Sequence, residues 1–131
     1  MNEENQNIKK NVLETEFEYD KEHTFDNRLA ETKNALEKYP TRVPILVKMR
    51  KGSGTFHIEK CKFLVPEELT VAQFLMIIRK RIAKLESNQA IWMFCNGIIP
   101  PTTESVGSLY NRCKSKDGFL RIVCSEENVF G

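Results

Sequence analysis

Residues 62–85, with the sequence KFLVPEELTVAQFLMIIRKRIAKL, decide the fold of this chain. An apolar run ends at Pro66, and apolar side chains then recur every three or four positions, which predicts a strand followed by a helix. Thr70 and Gln73 have the spacing of a capping box, so the helix is expected to begin there. Its core-facing side is predicted from Val71, Phe74, Leu75, Ile78, Ile82 and Leu85.

The composition is typical of one soluble globular domain. The chain has 131 residues, of which 40% are hydrophobic and 29% are charged. No apolar run approaches the roughly 20 residues of a membrane span, and the polar first residues exclude a secretory signal. The four cysteines lie 34, 18 and 11 positions apart, so no CxxC pair exists. We expect a cytoplasmic protein with reduced, mostly buried thiols.

Charge is distributed unevenly along the chain. The net charge is +2, but residues 1–22 carry three lysines against seven acids, a net of −4, which leaves +6 on residues 23–131. Residues 1–20 are therefore predicted to be a mobile acidic arm. The basic remainder favours acidic peptides or lipid headgroups as partners, and the absence of basic runs interleaved with aromatics argues against nucleic acid.

Further helices and strands are predicted on the N-terminal side of residues 62–85. Thr24 is a suitable N-cap, and Pro40 stops a helix of about four turns. Residues 43–49 read as a strand that its proline places at an edge, because proline has no N–H for a neighbouring strand. Residues 52–54 make a turn, and residues 56–65 return as the second strand.

The order of elements predicts the fold class. Residues 90–95, AIWMFC, are apolar at every position, which predicts a central strand covered on both faces. A short helix over residues 105–113 and a last strand over residues 118–124 follow. Hairpin, helix, strand, short helix and strand is the order of a β-grasp, an α+β fold with a four-stranded mixed sheet. The domain is expected to span residues 21–126, with a flexible tail over residues 127–131.

No residue pattern in the chain indicates catalysis or metal binding. The two histidines, His23 and His57, have no metal-ligand spacing, and Walker, GxSxG and HExxH motifs are absent. Cys95 lies in an apolar run, where a thiol is far more often core than nucleophile. We therefore predict that the protein is not an enzyme and has no catalytic residue, metal or cofactor.

Several ordered runs of residues 19–131 together resemble one known family. They are FDNR at 25–28, KYPTRVP at 38–44, KFLVP at 62–66, LTV at 69–71, QF at 73–74, IRKRI at 78–82, IPPT at 99–102, LY at 109–110, DGFL at 117–120 and ENVFG at 127–131. The set is similar to the ubiquitin-like modifiers of autophagy, which include GABARAP and the microtubule-associated protein light chain proteins. The resemblance implies a β-grasp preceded by two additional N-terminal helices.

The resemblance also implies a function. Gly131 would be joined to the amine of phosphatidylethanolamine by ubiquitin-like activating and conjugating enzymes. A deconjugating cysteine protease would later release the protein from the lipid. The lipidated protein would recruit receptors with acidic-aromatic-x-x-aliphatic motifs to autophagosomal membranes. Two alternatives stay open: a modifier attached to a protein lysine, and a non-covalent peptide-binding adaptor.

The implied peptide site is a β-augmentation site, in which a ligand strand pairs with the edge from Pro44 to Met49. The aromatic pocket would use Glu31, Ala35, Pro44, Lys60, Leu64 and Phe119. The aliphatic pocket would use Leu46, Phe63, Val65, Pro66, Leu69, Phe74 and Ile77. Arg42, Lys60 and Lys62 would meet the peptide's acids. As sequence features, Leu69, Phe74 and Ile77 are equally well explained as core, and Lys60 and Lys62 as outward strand charges.

Overall fold

The computed structural model describes residues 17–50 and 56–127. The predicted turn at 52–54, most of the predicted acidic arm and the predicted conjugation residue Gly131 lie outside the described residues. The described elements, in chain order, are α1 (Glu18–Glu22), α2 (Phe25–Lys38), β1 (Arg42–Met49), β2 (Lys62–Pro66), α3 (Val71–Arg79), β3 (Ile91–Phe94), α4 (Val106–Cys113) and β4 (Leu120–Glu126).

The four strands form one mixed sheet in the order β2-β1-β4-β3. The inner strands β1 and β4 run parallel, with Ile45 opposite Leu120, whereas β1–β2 and β3–β4 are antiparallel. Together with the two helices before the first strand, this arrangement confirms the predicted β-grasp.

The start of α3 follows the predicted capping box. The Thr70 hydroxyl accepts a hydrogen bond from the Gln73 N–H at 3.1 Å, and the Gln73 side-chain oxygen accepts from the Thr70 N–H at 2.9 Å. These two bonds satisfy two of the N–H groups that a helix start leaves without a partner. Thr24 and Ser105 cap α2 and α4 by accepting from the N–H three residues later.

The end of α3 lies earlier than the apolar spacing suggested. The helix ends at Arg79 rather than near Leu85, because the chain that follows turns to pair with residues 57–59. The Glu59 N–H donates to the Arg81 oxygen at 2.8 Å, and the Ala83 N–H donates to the His57 oxygen at 2.9 Å. The same pairing keeps β2 short, so the strand begins at Lys62 and not at residue 56.

Strand β1 is central, so its predicted edge position is wrong. The Val47 N–H donates to the Cys61 oxygen and the Glu67 N–H donates to the Thr41 oxygen, which shows that odd-numbered β1 residues bond to β2. The nitrogen of Pro44 therefore points toward β4, whose pairing with β1 begins only at Ile45. Proline occupies this inner strand without breaking a ladder hydrogen bond.

Strand β3 is an edge strand, so its predicted central position is also wrong. Ile91 and Met93 are buried, whereas the Trp92 side chain between them is 41% exposed. This alternation is typical of a strand with one face on the core.

Apolar side chains cover both faces of the sheet. On one face, Phe74 of α3 and Leu109 of α4 pack on alternate residues of β1 and β4. On the other face, a second cluster consists of Phe17, Leu46, Phe119 and Val123, with Tyr19 and Phe94 packed against it.

The packed domain begins earlier than predicted. Phe17 is 3% exposed, and α1 begins at Glu18, whereas the mobile arm was expected to reach residue 20. The expected boundary between arm and domain therefore falls inside the packed α1 segment. Burial of the Phe17 ring supplies the reason, because a buried aromatic ring contributes about 1.5 to 3 kcal/mol before entropy is subtracted.

Candidate peptide-binding site

The six residues expected in the aromatic pocket lie around one cavity. This cavity, hereafter the aromatic pocket, has a volume of about 320 Å³. It is lined by all six expected residues, Glu31, Ala35, Pro44, Lys60, Leu64 and Phe119, and also by Thr32, Lys62 and Phe63. Helix α2 forms one wall, and β1 and β2 form another.

Strand alternation places these side chains. Successive residues of a strand point to opposite faces of the sheet, so Phe63 and Val65 face α3 while Lys62 and Leu64 face α2. Phe119, at the residue before β4, is 1% exposed and belongs to the second apolar cluster beneath α2. The pocket is thus an apolar depression with charged groups at its rim.

The sheet edge beside the aromatic pocket is β2, and not the stretch from Pro44 to Met49 that was expected to pair with a ligand. β1 lies between β2 and β4, so its two sides are already paired. Because Cys61 and Glu67 bond to β1, the backbone groups of Lys62 and Leu64 point away from it. An extended peptide can therefore add to β2 next to the pocket.

Lys62 and Glu31 form an ion pair at the rim of the aromatic pocket. The Lys62 ammonium donates to one Glu31 carboxylate oxygen, and the Tyr19 hydroxyl donates to the other. The hydrogen bond that the Lys62 ammonium donates to Glu31 raises the pKa of Lys62. Burial alone would raise the pKa of Glu31, but the hydrogen bonds from Lys62 and Tyr19 lower it below its usual range. Both groups are therefore charged at neutral pH.

The other two predicted cations flank the β2 edge. The Arg42 guanidinium lies 3.5 Å from the Leu64 carbonyl oxygen and 5.6 Å from the centre of the Tyr39 ring. The Lys60 ammonium lies 5.1 Å from the centre of the Phe63 ring. Cations at the rim attract an acidic peptide mainly by increasing its rate of association.

The residues of the expected aliphatic pocket are divided between the two faces of the sheet. Leu46 is fully buried in the cluster with Phe17 and Phe119, on the face opposite Phe63 and Val65, so its expected place is wrong. The reason is that side chains two residues apart on a strand share a face, so Leu46 lies on the same face of β1 as Pro44, which lines the aromatic pocket.

Of the other six expected residues, five lie in or against the core cluster on the α3 face, whereas Pro66 ends β2 with the strand parity of Leu64. Phe63, Val65 and Phe74 are buried, and the Phe63 and Phe74 rings meet edge to face with centroids 5.5 Å apart. Pro66, Leu69 and Ile77 are half-buried and form the accessible part of this group. The buried members belong to the core.

Tyr19 is the main site residue that the sequence did not reveal. Its ring contacts Phe119 at 5.6 Å and stacks on His23 at 4.0 Å. Burial and the hydrogen bond to Glu31 raise the pKa of the Tyr19 hydroxyl. The available signal was two aromatic residues, Phe17 and Tyr19, in an otherwise polar segment.

Three of the four cysteines lie in the core of the domain. Cys95, Cys113 and Cys124 are buried and Cys61 is exposed, all as free thiols. Burial raises the pKa of the Cys124 thiol to about 12, which suppresses the reactive thiolate. Across residues 17–50 and 56–127, no group of three His, Cys, Asp or Glu side chains could hold a metal ion. No helix in these ranges is long and apolar enough to span a bilayer.

A β-grasp preceded by two helices defines a ubiquitin-like protein, and comparisons with known proteins specify which kind. Residues 27–131 match the family model described as autophagy protein Atg8 ubiquitin like. The chain is 46% identical over 110 residues to autophagy-related protein 8e of Arabidopsis thaliana, covering 84% of this chain and 89% of that protein. It also matches the crystal structure of Trypanosoma brucei ATG8 with a TM-score of 0.80 and 34% identity, over 89% of this chain and 100% of that one. The chain belongs to the Atg8 family of ubiquitin-like autophagy proteins, as the sequence resemblance indicated.

Proposed function

We propose that this protein is a ubiquitin-like modifier of autophagy that is conjugated through Gly131 to phosphatidylethanolamine and recruits receptors with acidic-aromatic-x-x-aliphatic motifs. It would act as a modifier and not as an enzyme, and would move from the cytoplasm to autophagosomal membranes on lipidation. The observation that carries the peptide-binding part is the aromatic pocket beside the open β2 edge.

The pocket and the edge fit the two parts of such a peptide. The backbone of an extended peptide would pair with Lys62 and Leu64, which supplies affinity, and an aromatic side chain would enter the cavity, which supplies selectivity. Half-buried Leu69 and Ile77 lie on the α3 side of the sheet, opposite the aromatic pocket, and would receive the aliphatic residue. Successive side chains of an extended peptide point to opposite faces, and the aromatic and aliphatic residues are three positions apart, so the two sites can be filled together.

The conjugation part is supported by the family match, which includes Gly131. Glycine presents an unhindered carboxylate for adenylate, thioester and amide formation. The partners would be an activating enzyme, a conjugating enzyme and a deconjugating cysteine protease. Glu127, the last described residue, donates its N–H to the Ala90 oxygen at 3.0 Å, next to the start of β3.

Titration with an acidic-aromatic-x-x-aliphatic peptide, followed by amide chemical shifts and calorimetry, tests the peptide site. We expect shifts at β2 and α2, and Lys62→Gln is expected to weaken binding by about 1 kcal/mol, roughly fivefold. The matched control is Lys33→Gln, which removes a cation from the exposed side of α2. Equal effects of the two substitutions, or shifts elsewhere, would contradict this site.

Reconstitution with the activating enzyme, the conjugating enzyme and liposomes that contain phosphatidylethanolamine tests conjugation. We expect a lipid adduct with the wild-type protein and none with Gly131→Ala. An adduct on protein lysines instead would support the first alternative, a protein modifier. Normal autophagy in cells that express a protein lacking Gly131 would support the second, a non-covalent adaptor.

A further inference from the structure

The Glu31 carboxylate accepts hydrogen bonds from two different donors. The Tyr19 hydroxyl donates to Oε1 and the Lys62 ammonium donates to Oε2. The Lys62 ammonium is also 3.5 Å from the Tyr19 hydroxyl oxygen. The side chains of Lys62 and Glu31 are 47% and 34% exposed, so an incoming group can reach both. The site expected to attract an acidic peptide therefore already contains an acid of its own.

This arrangement sets two acids in competition for one cation. A peptide carboxylate near Lys62 would also lie near Glu31, and like charges at close range repel. Binding of the peptide acid thus requires Lys62 to leave Glu31. Once Lys62 leaves, Glu31 needs another donor, because a half-buried carboxylate without a partner is costly.

Tyr19 is in contact with Lys62, whose ammonium lies 5.3 Å from the centre of its ring, but it is also held by other contacts. Its ring packs on Phe119 and His23, and the neighbouring Asp20 carboxylate contacts Arg121 at 2.5 Å and Arg28 at 3.3 Å. The Tyr19 hydroxyl consequently stays beside Glu31 when the ammonium moves.

We propose that Lys62 exchanges the Glu31 carboxylate for a carboxylate of the bound peptide, and that Tyr19 is a positioning residue that retains Glu31 during the exchange. Glu31 acts as an internal competitor that discriminates between acidic and neutral peptides. This inference rests on the proposed peptide-binding function, and it adds a selectivity device within that site.

Four proteins and two peptides test the exchange. The proteins are wild type, Glu31→Gln, Tyr19→Phe and the double variant, and the peptides differ only in whether the residues before the aromatic position are acids or amides. In Glu31→Gln, the affinity for the acidic peptide relative to that for the amide peptide is expected to rise about two- to fivefold. In Tyr19→Phe, the acidic peptide is expected to bind about two- to fivefold more weakly, and this loss should vanish in the double variant.

The amide peptide separates the exchange from a structural effect. Because Glu31 also lines the aromatic pocket, the exchange is measured by the ratio of the two peptide affinities in each protein and not by the affinity for the amide peptide alone. The exchange is contradicted if Glu31→Gln changes affinity for both peptides equally, or if Tyr19→Phe has the same effect with and without Glu31. If the wild-type protein binds neither peptide, the proposed peptide-binding function fails and the exchange fails with it. If the peptides bind tightly but the variants do not change the preference for the acidic peptide, the exchange is contradicted and the proposed peptide-binding function stands.

Discussion

The Asp117 carboxylate accepts hydrogen bonds from both terminal nitrogens of Arg121, with Oδ1–Nη1 at 2.9 Å and Oδ2–Nη2 at 2.8 Å. Arg28 of α2 donates to the same carboxylate at 2.8 Å, and Asp20 of α1 binds both arginines. The Asp117 side chain is 2% exposed. These ion pairs join α1, α2 and β4 on the side of the sheet that carries the aromatic pocket.

Asp117→Asn is expected to lower the free energy of unfolding by about 2 to 4 kcal/mol at neutral pH, because buried Arg121 and half-buried Arg28 then share only the Asp20 carboxylate. Burial alone would raise the pKa of Asp117, but the hydrogen bonds from Arg121, Arg28 and the Phe119 N–H lower it to about 2. A lowered pKa contributes stability above the unfolded-state value that is lost as pH falls toward the folded-state value. Urea unfolding should therefore show the difference from wild type shrinking from about pH 4 downward.

The control for this prediction is Glu18→Gln. Its carboxylate forms an exposed pair with Lys21, with the Glu18 side chain 82% exposed. Such a pair contributes little, so this variant should unfold like wild type at every pH. A difference between Asp117→Asn and wild type that stays constant down to about pH 2 would contradict the ionic explanation.

Phe17→Ala is expected to destabilise the domain by about 2 to 4 kcal/mol, because the ring is buried against Leu46, Phe119 and Val123. Phe25→Ala is the matched control, since the Phe25 side chain is 44% exposed. Thermal and urea unfolding measure both variants. Equal effects would show that the segment before α1 contributes no more than an exposed residue, and would restore a domain boundary near residue 20.

Local signals predicted the helix starts but not the neighbours of the strands. Thr70, Ser105 and Thr24 cap their helices through atoms within three residues, so the chemistry is visible in the sequence. Whether β1 or β3 lies at an edge depends on pairing with residues far along the chain. Pro44 could occupy a central strand because its nitrogen lies just outside the β4 ladder, which no local pattern encodes.

The candidate site shows the same division. Its pocket residues were inferred from family resemblance, and the structure brings the aromatic set together around one cavity. Leu46 was misplaced because the face of a strand residue depends on its parity relative to the partner strands. Tyr19 was missed because its partners Glu31 and Lys62 are 12 and 43 positions away.

Gly118→Ala is expected to lower the free energy of unfolding, measured by urea titration, by about 3 kcal/mol or more. Gly118 has φ +91°, and a Cβ there would lie 2.3 Å from the Thr32 hydroxyl oxygen. Thr32 is buried, and its hydroxyl donates to the Asp117 carbonyl oxygen at 2.6 Å, so it has little room to move.

The comparison for Gly118 is Gly97→Asn, because Gly97 also has positive φ, +81°, and asparagine tolerates this region better than other side chains. It should cost less than about 1 kcal/mol in the same urea titration. If the Gly118→Ala protein were as stable as the Gly97→Asn protein, the Thr32 side chain of α2 would have to move aside at little cost in free energy.

Ala35→Leu is expected to fill part of the aromatic pocket and to weaken binding of a tryptophan peptide more than binding of a phenylalanine peptide. Ala35 lines the 320 Å³ cavity, and the larger side chain would take space that only the bicyclic ring needs. Calorimetry with two peptides that differ at this position measures the selectivity, which should fall by about threefold or more. Ala30→Leu adds the same side chain at an exposed position of α2 and should leave both affinities unchanged. Equal losses for the two peptides would mean that Ala35 lies outside the space occupied by the aromatic ring, and a loss shared by Ala30→Leu would trace the effect to the helix and not to the pocket.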